Sequence, residues 1–304
     1  MIRSEQSYGT GVVFVLLATL GWSLSGLFVR LMPHLDGWQI NCWRGYWMAV
    51  ALLCYLIIAY GKALPDKFRA IPTAALYSSA LCFAIGTTFY VTSLTLASTA
   101  TVSVIGATSP LFAGLLSPWM TGERPPALAW IAAFLALGGS AIIGWHGLET
   151  GRWLGILTSF GIPLTFAMQT LLLRRYRQFD MMPAIFLGGI FSFIGAGLFG
   201  FAAGRAGGGF DVDFQSMLLL AAMGPLQLAI PLIFYGVGAR SVPAIALSLI
   251  AMLDAVINPL WPWLFVGERP EAASFTGGAV ILGAVLLSIL GGRINSLRVA
   301  RQVI

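Results

Sequence analysis

The sequence predicts an all-α polytopic membrane protein whose ten transmembrane helices form two inverted five-helix repeats. Three observations carry that fold class. Apolar stretches of 18 or more residues recur along the chain, only 9% of its residues are charged, and the tetrapeptide Gly-Glu-Arg-Pro is written twice, at 122–125 and 267–270. A soluble domain carries about 25% charge, whereas a helix needs about 20 apolar residues to cross the hydrocarbon core. With no water in that core, every backbone group must be bonded within its own helix, so spans of this kind are helices.

The spans run, in order, over 10–30, 37–60, 72–95, 98–120, 126–145, 153–173, 182–203, 214–237, 242–265 and 273–291. Short breaks separate them, among them "RLMPHLDG", "GKALPDKFR", "GERPP", "HGLETGR" and "RRYRQFD". None is long enough to hold a soluble domain. The first apolar run continues to Arg30 at span length, which marks a first helix and not a cleaved leader. Cys42, Cys54 and Cys82 all fall within spans and are odd in number, so buried reduced thiols are expected instead of a disulfide framework. With the N-terminus inside, the inner segments hold twelve Lys and Arg against four on the outer side. Both termini are therefore expected in the cytoplasm, and the net charge of +6 speaks for a membrane face and not for nucleic acid.

Aligning Glu123 with Glu268 brings Phe89 onto Phe234, Tyr90 onto Tyr235 and Gly138 onto Gly283. With one residue of slippage, "GLFVR" (26–30) falls on "TLLLR" (170–174). The chain divides into repeats at 1–148 and 149–304. Five is odd, so the second copy enters the membrane upside down, the arrangement that lets two similar halves exchange inward-open and outward-open shapes. With "PLFAGLLSPWMTGERPP" closing the fourth span and "VINPLWPWLFVGERPE" the ninth, the whole chain resembles the drug/metabolite transporter superfamily, EamA type. That family commonly places an acid or small polar residue followed by proline 13–14 positions before the Glu. Ser109-Pro110 follows the pattern; Asp254-Ala255 keeps the acid and loses the proline, with Pro259 and Pro262 nearby. The resemblance implies movement of small metabolites by alternating access, without ATP, and leaves the substrate open.

The doubled motif itself reads as a structural hairpin. Gly122 and Gly267 suit the left-handed geometry that ends a helix. Pro125 and Pro270 suit the first turn of the next helix. Glu123 and Glu268 are expected to accept from the free N–H groups at that helix start, with Arg124 and Arg269 beside them. The fifth and tenth spans are rich in small residues and suit close packing, within one chain in preference to a dimer, although both a monomer and a homodimer fit.

The other spans carry the candidate substrate-binding residues. They are Trp22 and Ser25 on the first, Asn41, Arg44 and Trp47 on the second, Tyr90 on the third, Gln169 on the sixth, Gln227 and Tyr235 on the eighth, and Asp254 and Asn258 on the ninth. Asn41, Arg44 and Trp47 recur at helical spacing and share a face, and a polar face must point inward. Together these side chains outline an amphipathic central cavity with many aromatic faces. Arg44 and Asp254 are the two charges well inside spans, separated by about 5 Å in depth at a rise of about 1.5 Å per residue. Each alone in hydrocarbon would cost about 2.5–3.5 kcal/mol, so the favoured expectation is that they pair, which keeps Asp254 ionised. Unpaired, Asp254 becomes the candidate for proton coupling.

Other classes fit poorly. His34 and His146 lie in separate outer loops, and no Cys/His metal spacing, phosphate-binding loop or intramembrane acid pair is present, so neither an enzyme nor a metal site nor a cofactor is expected. A channel would show rings of like charge or repeated filter sequences. The first span holds no glutamate of the kind that quaternary-ammonium exporters use. The expectation is an exporter in the inner (cytoplasmic) membrane for neutral hydrophobic or aromatic amino acids, with broader export of nucleosides or lipophilic drugs as the alternative.

Overall fold

The computed structural model describes residues 7–96, 105–144, 157–267 and 276–287, apart from 107, 203, 205, 206, 259, 278 and 285. The described residues are helical, with no strand among them. The first predicted span forms α1 (Tyr8–Trp22) and α2 (Ser25–Arg30), and the second forms α3 (Gly37–Tyr60). A short α4 (Leu64–Ala70) precedes α5 (Thr73–Leu96). There follow α6 (Ser109–Met120), α7 (Ala127–Gly144), α8 (Gly161–Arg175) and α9 (Met182–Ala202). The eighth span is α10 (Phe214–Met223), a π-helical turn (Gly224–Ala229) and α11 (Ile230–Gly238). The ninth is three short helices, α12 (Ala244–Ala251), α13 (Asp254–Ile257) and α14 (Leu260–Val266). Four stretches, Tyr8–Arg30, Gly37–Ala70, Met182–Ala202 and Phe214–Gly238, are long and apolar enough to cross a membrane. The molecule is an all-helical, multi-pass membrane protein.

Local chemistry sets the ends. Asp36 caps α3 reciprocally: its carboxylate accepts from the Gln39 N–H at 2.8 Å, and the Gln39 side chain accepts from the Asp36 N–H at 3.1 Å. Inside the bundle, α3 lies so close to α9 that a Cβ on Gly45 or on Gly189 would stand 3.1 Å from the other residue's carbonyl oxygen. Lipid tails give helices no hydrophobic reason to associate, so such small-residue seams supply the contact. Gly139 of α7 meets Gly277 and Ile281 in the same way, which places the fifth and tenth spans against each other within one chain. Cys42 and Cys82 are buried, whereas Cys54 is exposed on the outward face of α3, contrary to the expectation of three buried thiols.

The two ends of the bundle are fastened differently. At one end His34 Nε2 lies 2.8 Å from Asp213 Oδ2, and Ser216 joins both. The Ser216 N–H and hydroxyl, with His34 beside them, hold the Asp213 carboxyl well below the usual carboxylate range. At the other end Gly122 follows its helix at φ +73°; Gly267, in the second copy of the motif, adopts +76°, and both lie in the left-handed region as expected. The expected role of Glu123 is not observed. Its carboxylate accepts from Arg174 Nε at 2.7 Å, and Arg174 also donates to the carbonyls of Ala239 and Arg240. A guanidinium at the end of α8 offers a charge-assisted bond that outcompetes neutral N–H groups. Pro125 stands just outside α7, which begins at Ala127. Arg124 is exposed, and Glu268, Arg269 and Pro270 lie outside the described residues, as does His146.

Candidate functional site: a centre built on helix breaks

Helices break at three places around the middle of the bundle. The first span interrupts at Ser23–Leu24, where the Ser23 hydroxyl donates to the Leu20 carbonyl at 2.7 Å and accepts from Trp261 Nε1 at 2.7 Å. The ninth interrupts at Met252–Leu253, so Asp254 opens α13 without needing a proline. The eighth loosens into the π-helical turn around Pro225, with Pro231 one turn further on; π-turns of this kind concentrate at functional sites. Irregular backbone at membrane depth is tolerated where it is buried in protein or lines a cavity.

Around the first break the predicted residues come together. Asn258 accepts from the Gly26 N–H at 3.0 Å and donates to Ser25 Oγ at 3.2 Å, clasping α2 to the ninth span. Ser25 also lies near the Tyr90 hydroxyl. Gln227, in the π-turn, donates to the Trp22 carbonyl at 3.4 Å. The Trp22 ring meets Tyr235 at 5.0 Å and Phe166 at 6.0 Å, and Phe166 meets Tyr235 at 5.9 Å, a closed aromatic triangle. The Tyr235 hydroxyl pairs with Thr170 Oγ1 at 2.7 Å.

Arg44 and Asp254 do not pair. Arg44 is 5% exposed, and its guanidinium donates to Asn41 Oδ1 at 3.2 Å and lies 5.9 Å from the centre of the Tyr90 ring. Tyr90 is within electrostatic reach of both Arg44 and Asp254. Residue counting sets how deep each charge lies along its own span, not which neighbour it faces; here Arg44 faces Asn41 and the Tyr90 ring. Arg44 Nε, Asn41 Nδ2, Gln227 Oε1 and Asp254 Oδ1 are all buried without a hydrogen-bond partner among the described residues. Native proteins leave few such atoms unpartnered, and each calls for a further partner, whether water, an ion or a ligand.

Two predicted residues stand apart. Gln169 ties α8 to α5 through Ser79 Oγ at 2.9 Å. Trp47 shares the Arg44 helix but directs its indole N–H to Met217 Sδ at 3.4 Å, in a separate cluster with Leu220 and Met223. The sequence reading passed over Phe166, Thr170 and Arg174. The internal alignment held a signal for Thr170, which falls on Gly26, next to Ser25; Phe166 lies one turn before it on α8. No group of three or more His, Cys, Asp or Glu positioned for a metal occurs among the described residues.

A model of the EamA-like transporter family matches residues 9–145. A crystal structure of a protein 16% identical superposes with a TM-score of 0.77 over 94% of this chain and 98% of that chain, so the two share a fold. No curated protein matches the sequence.

Proposed function

From the match of residues 9–145 to the EamA-like transporter family, we propose that this chain is a secondary transporter exporting neutral hydrophobic or aromatic amino acids. In this reading it works by alternating access across the inner membrane, with both termini cytoplasmic. One observation carries the substrate class: two ionisable side chains of opposite type that do not pair with each other, Arg44 and Asp254, lie within electrostatic reach of Tyr90, near an aromatic triangle. A zwitterion would place its carboxylate on Arg44, its ammonium on Asp254 and its side chain against Trp22, Phe166 and Tyr235. Each end of such a substrate supplies the partner that a buried charge otherwise lacks. Broken helices at the binding level, and two halves in inverted register, agree with the transporter reading.

The test is efflux from proteoliposomes of phenylalanine, of phenethylamine, which lacks the carboxylate, and of 3-phenylpropionate, which lacks the ammonium. Phenylalanine should move fastest, with both analogues slower by about tenfold or more, since each missing charge leaves a buried partner unmet. Equal rates for all three, or transport of nucleosides or lipophilic drugs with phenylalanine left behind, would overturn the amino-acid reading in favour of a broader exporter. A reporter fused after Ile304 should be active in the cytoplasm.

A further inference from the structure

At the Arg174 end, away from the centre, a cavity of about 140 Å³ opens between the ends of α3, α8, α9 and α11. It exceeds by several-fold the volume of about 30 Å³ that one water takes up in the liquid. Its polar wall is made by Tyr55 and Tyr60, by Arg177 and Asp180 in the turn after α8, and by Arg240 after α11. Asp180 is held in place: one carboxylate oxygen accepts from the Tyr60 hydroxyl and the other from the Met182 N–H at 3.0 Å. Tyr55 is within electrostatic reach of both Asp180 and Arg240. Among the described residues, no carboxylate oxygen lies within 4.0 Å of the Arg177 or Arg240 guanidinium. The cavity therefore presents two uncommitted cations and one fixed anion, a net positive basin with both signs on its wall.

Its position relative to the centre is also informative. Ile233, Gly236, Val237 and Arg240 recur at helical spacing and turn one stripe of α11 to the cavity. Tyr235, between them in sequence, turns to Trp22 and Phe166 and bonds Thr170 of α8. Leu173, one turn beyond Thr170, lines the cavity. The Thr170–Tyr235 contact is thus a thin partition between this cavity and the aromatic centre.

We propose that this cavity is a second binding site, an antechamber that takes a small carboxylate or zwitterion before it passes the Thr170–Tyr235 partition. The carboxylate sits on Arg177 and Arg240, and an ammonium, where the ligand has one, on Asp180. That the ligand is the exported amino acid rests on the function proposed above; the preference for a carboxylate does not.

The test is modification of the full chain in nanodiscs by phenylglyoxal, an arginine reagent, followed residue by residue with mass spectrometry. Phenylalanine in about tenfold excess over its dissociation constant should slow reaction at Arg177 and Arg240 about tenfold, because only the unoccupied fraction reacts. Phenethylamine at equal concentration should not, and the protection should persist in Arg44→Gln, whose centre is disabled. Arg240→Gln, which leaves the centre intact, should abolish protection at Arg177. Equal reaction with and without phenylalanine overturns the site. Protection lost in Arg44→Gln, or retained at Arg177 in Arg240→Gln, overturns it too, since the label would then be reporting something other than this cavity. Protection by phenylalanine in a chain that does not transport it would leave the antechamber standing and defeat the amino-acid reading alone.

Discussion

Tyr90 and Tyr235 stand 145 positions apart at places that the doubled motif aligns, and each lies by a hydroxyl two spans earlier: Ser25 near Tyr90, and Thr170 in a hydrogen bond with Tyr235. Their surroundings are opposite in kind. Tyr90 is within electrostatic reach of Arg44 and Asp254, both of which carry unpartnered polar atoms; Tyr235 is 2% exposed and sits against two aromatic rings. Of the two positions that the sequence alignment pairs, one stands among polar side chains and the other among aromatic ones. A symmetric pair would suit a symmetric ligand, whereas this pair suits a molecule charged at one end and apolar at the other.

The supporting backbones differ in the same sense. Helix α5, which carries Tyr90, runs without interruption over Thr73–Leu96. Its counterpart passes through the π-turn and two prolines before reaching Tyr235. Proline removes a donor and clashes with the preceding turn, so bending concentrates there. Tyr90 is thus mounted on an unbroken helix, and Tyr235 on one interrupted by a π-turn.

The largest expected effect breaks the polar half. Arg44→Gln or Asp254→Asn should weaken phenylalanine transport by about 2–5 kcal/mol, thirtyfold or more, as when one member of a buried charge pair is removed. Folded yield of Arg44→Gln should hold or rise, because the variant no longer buries an uncompensated charge. Undiminished transport in both variants would show that the charges do not meet substrate. Loss of transport together with loss of folded protein in both would make them structural.

Next in size is the apolar half. Trp22→Ala or Phe166→Ala should lower the preference for phenylalanine over alanine by about 0.5–1.5 kcal/mol, the usual worth of an aromatic contact beyond its area. Trp47→Ala should leave that preference unchanged, since its ring faces Met217. A shift for Trp47 as large as that for Trp22 would dissolve the division of the centre into halves.

These comparisons also show what the sequence makes legible. Span-length apolar runs and the doubled motif lead directly to the helices, and the described boundaries of α3 and α9 fall where the apolar runs start. Left-handed Gly122 and Gly267 follow from local backbone chemistry. What escapes the sequence depends on partners far along the chain. Glu123 meets Arg174, 51 residues away, instead of its own next helix. The Ser23 break is fastened by Trp261, 238 residues away. Residue counting estimates how deep Arg44 and Asp254 lie along their spans, but which neighbours they meet depends on how helices such as α5 are rotated, which periodicity in so uniformly apolar a helix does not encode.

A smaller effect tests the hinge. Pro225→Ala and Pro231→Ala leave both halves of the centre intact, so binding of phenylalanine should be unchanged while maximal efflux slows a few-fold, a change in kcat without one in KM. A change confined to KM would mean that the prolines shape the site and do not serve its motion.

The smallest expected effect lies in the two tyrosine hydroxyls, read as unfolding free energy in detergent titrations. Tyr235→Phe leaves the Thr170 hydroxyl without its partner, and Thr170→Val leaves the Tyr235 hydroxyl alone, so each single change should destabilise by about 1 kcal/mol. Replacing both removes the pair in an apolar setting, and the double variant should return to within about 0.5 kcal/mol of the parent, giving a clear coupling energy. Tyr90→Phe with Ser25→Ala should not return in this way. Ser25 Oγ also accepts from Asn258 Nδ2, so the double variant strands that amide while Arg44 keeps only the face of the ring. The first cycle should therefore close and the second remain open. Two closed cycles would mean that the surroundings of Tyr90 are as self-contained as those of Tyr235, and the asymmetry on which substrate recognition is argued would be lost.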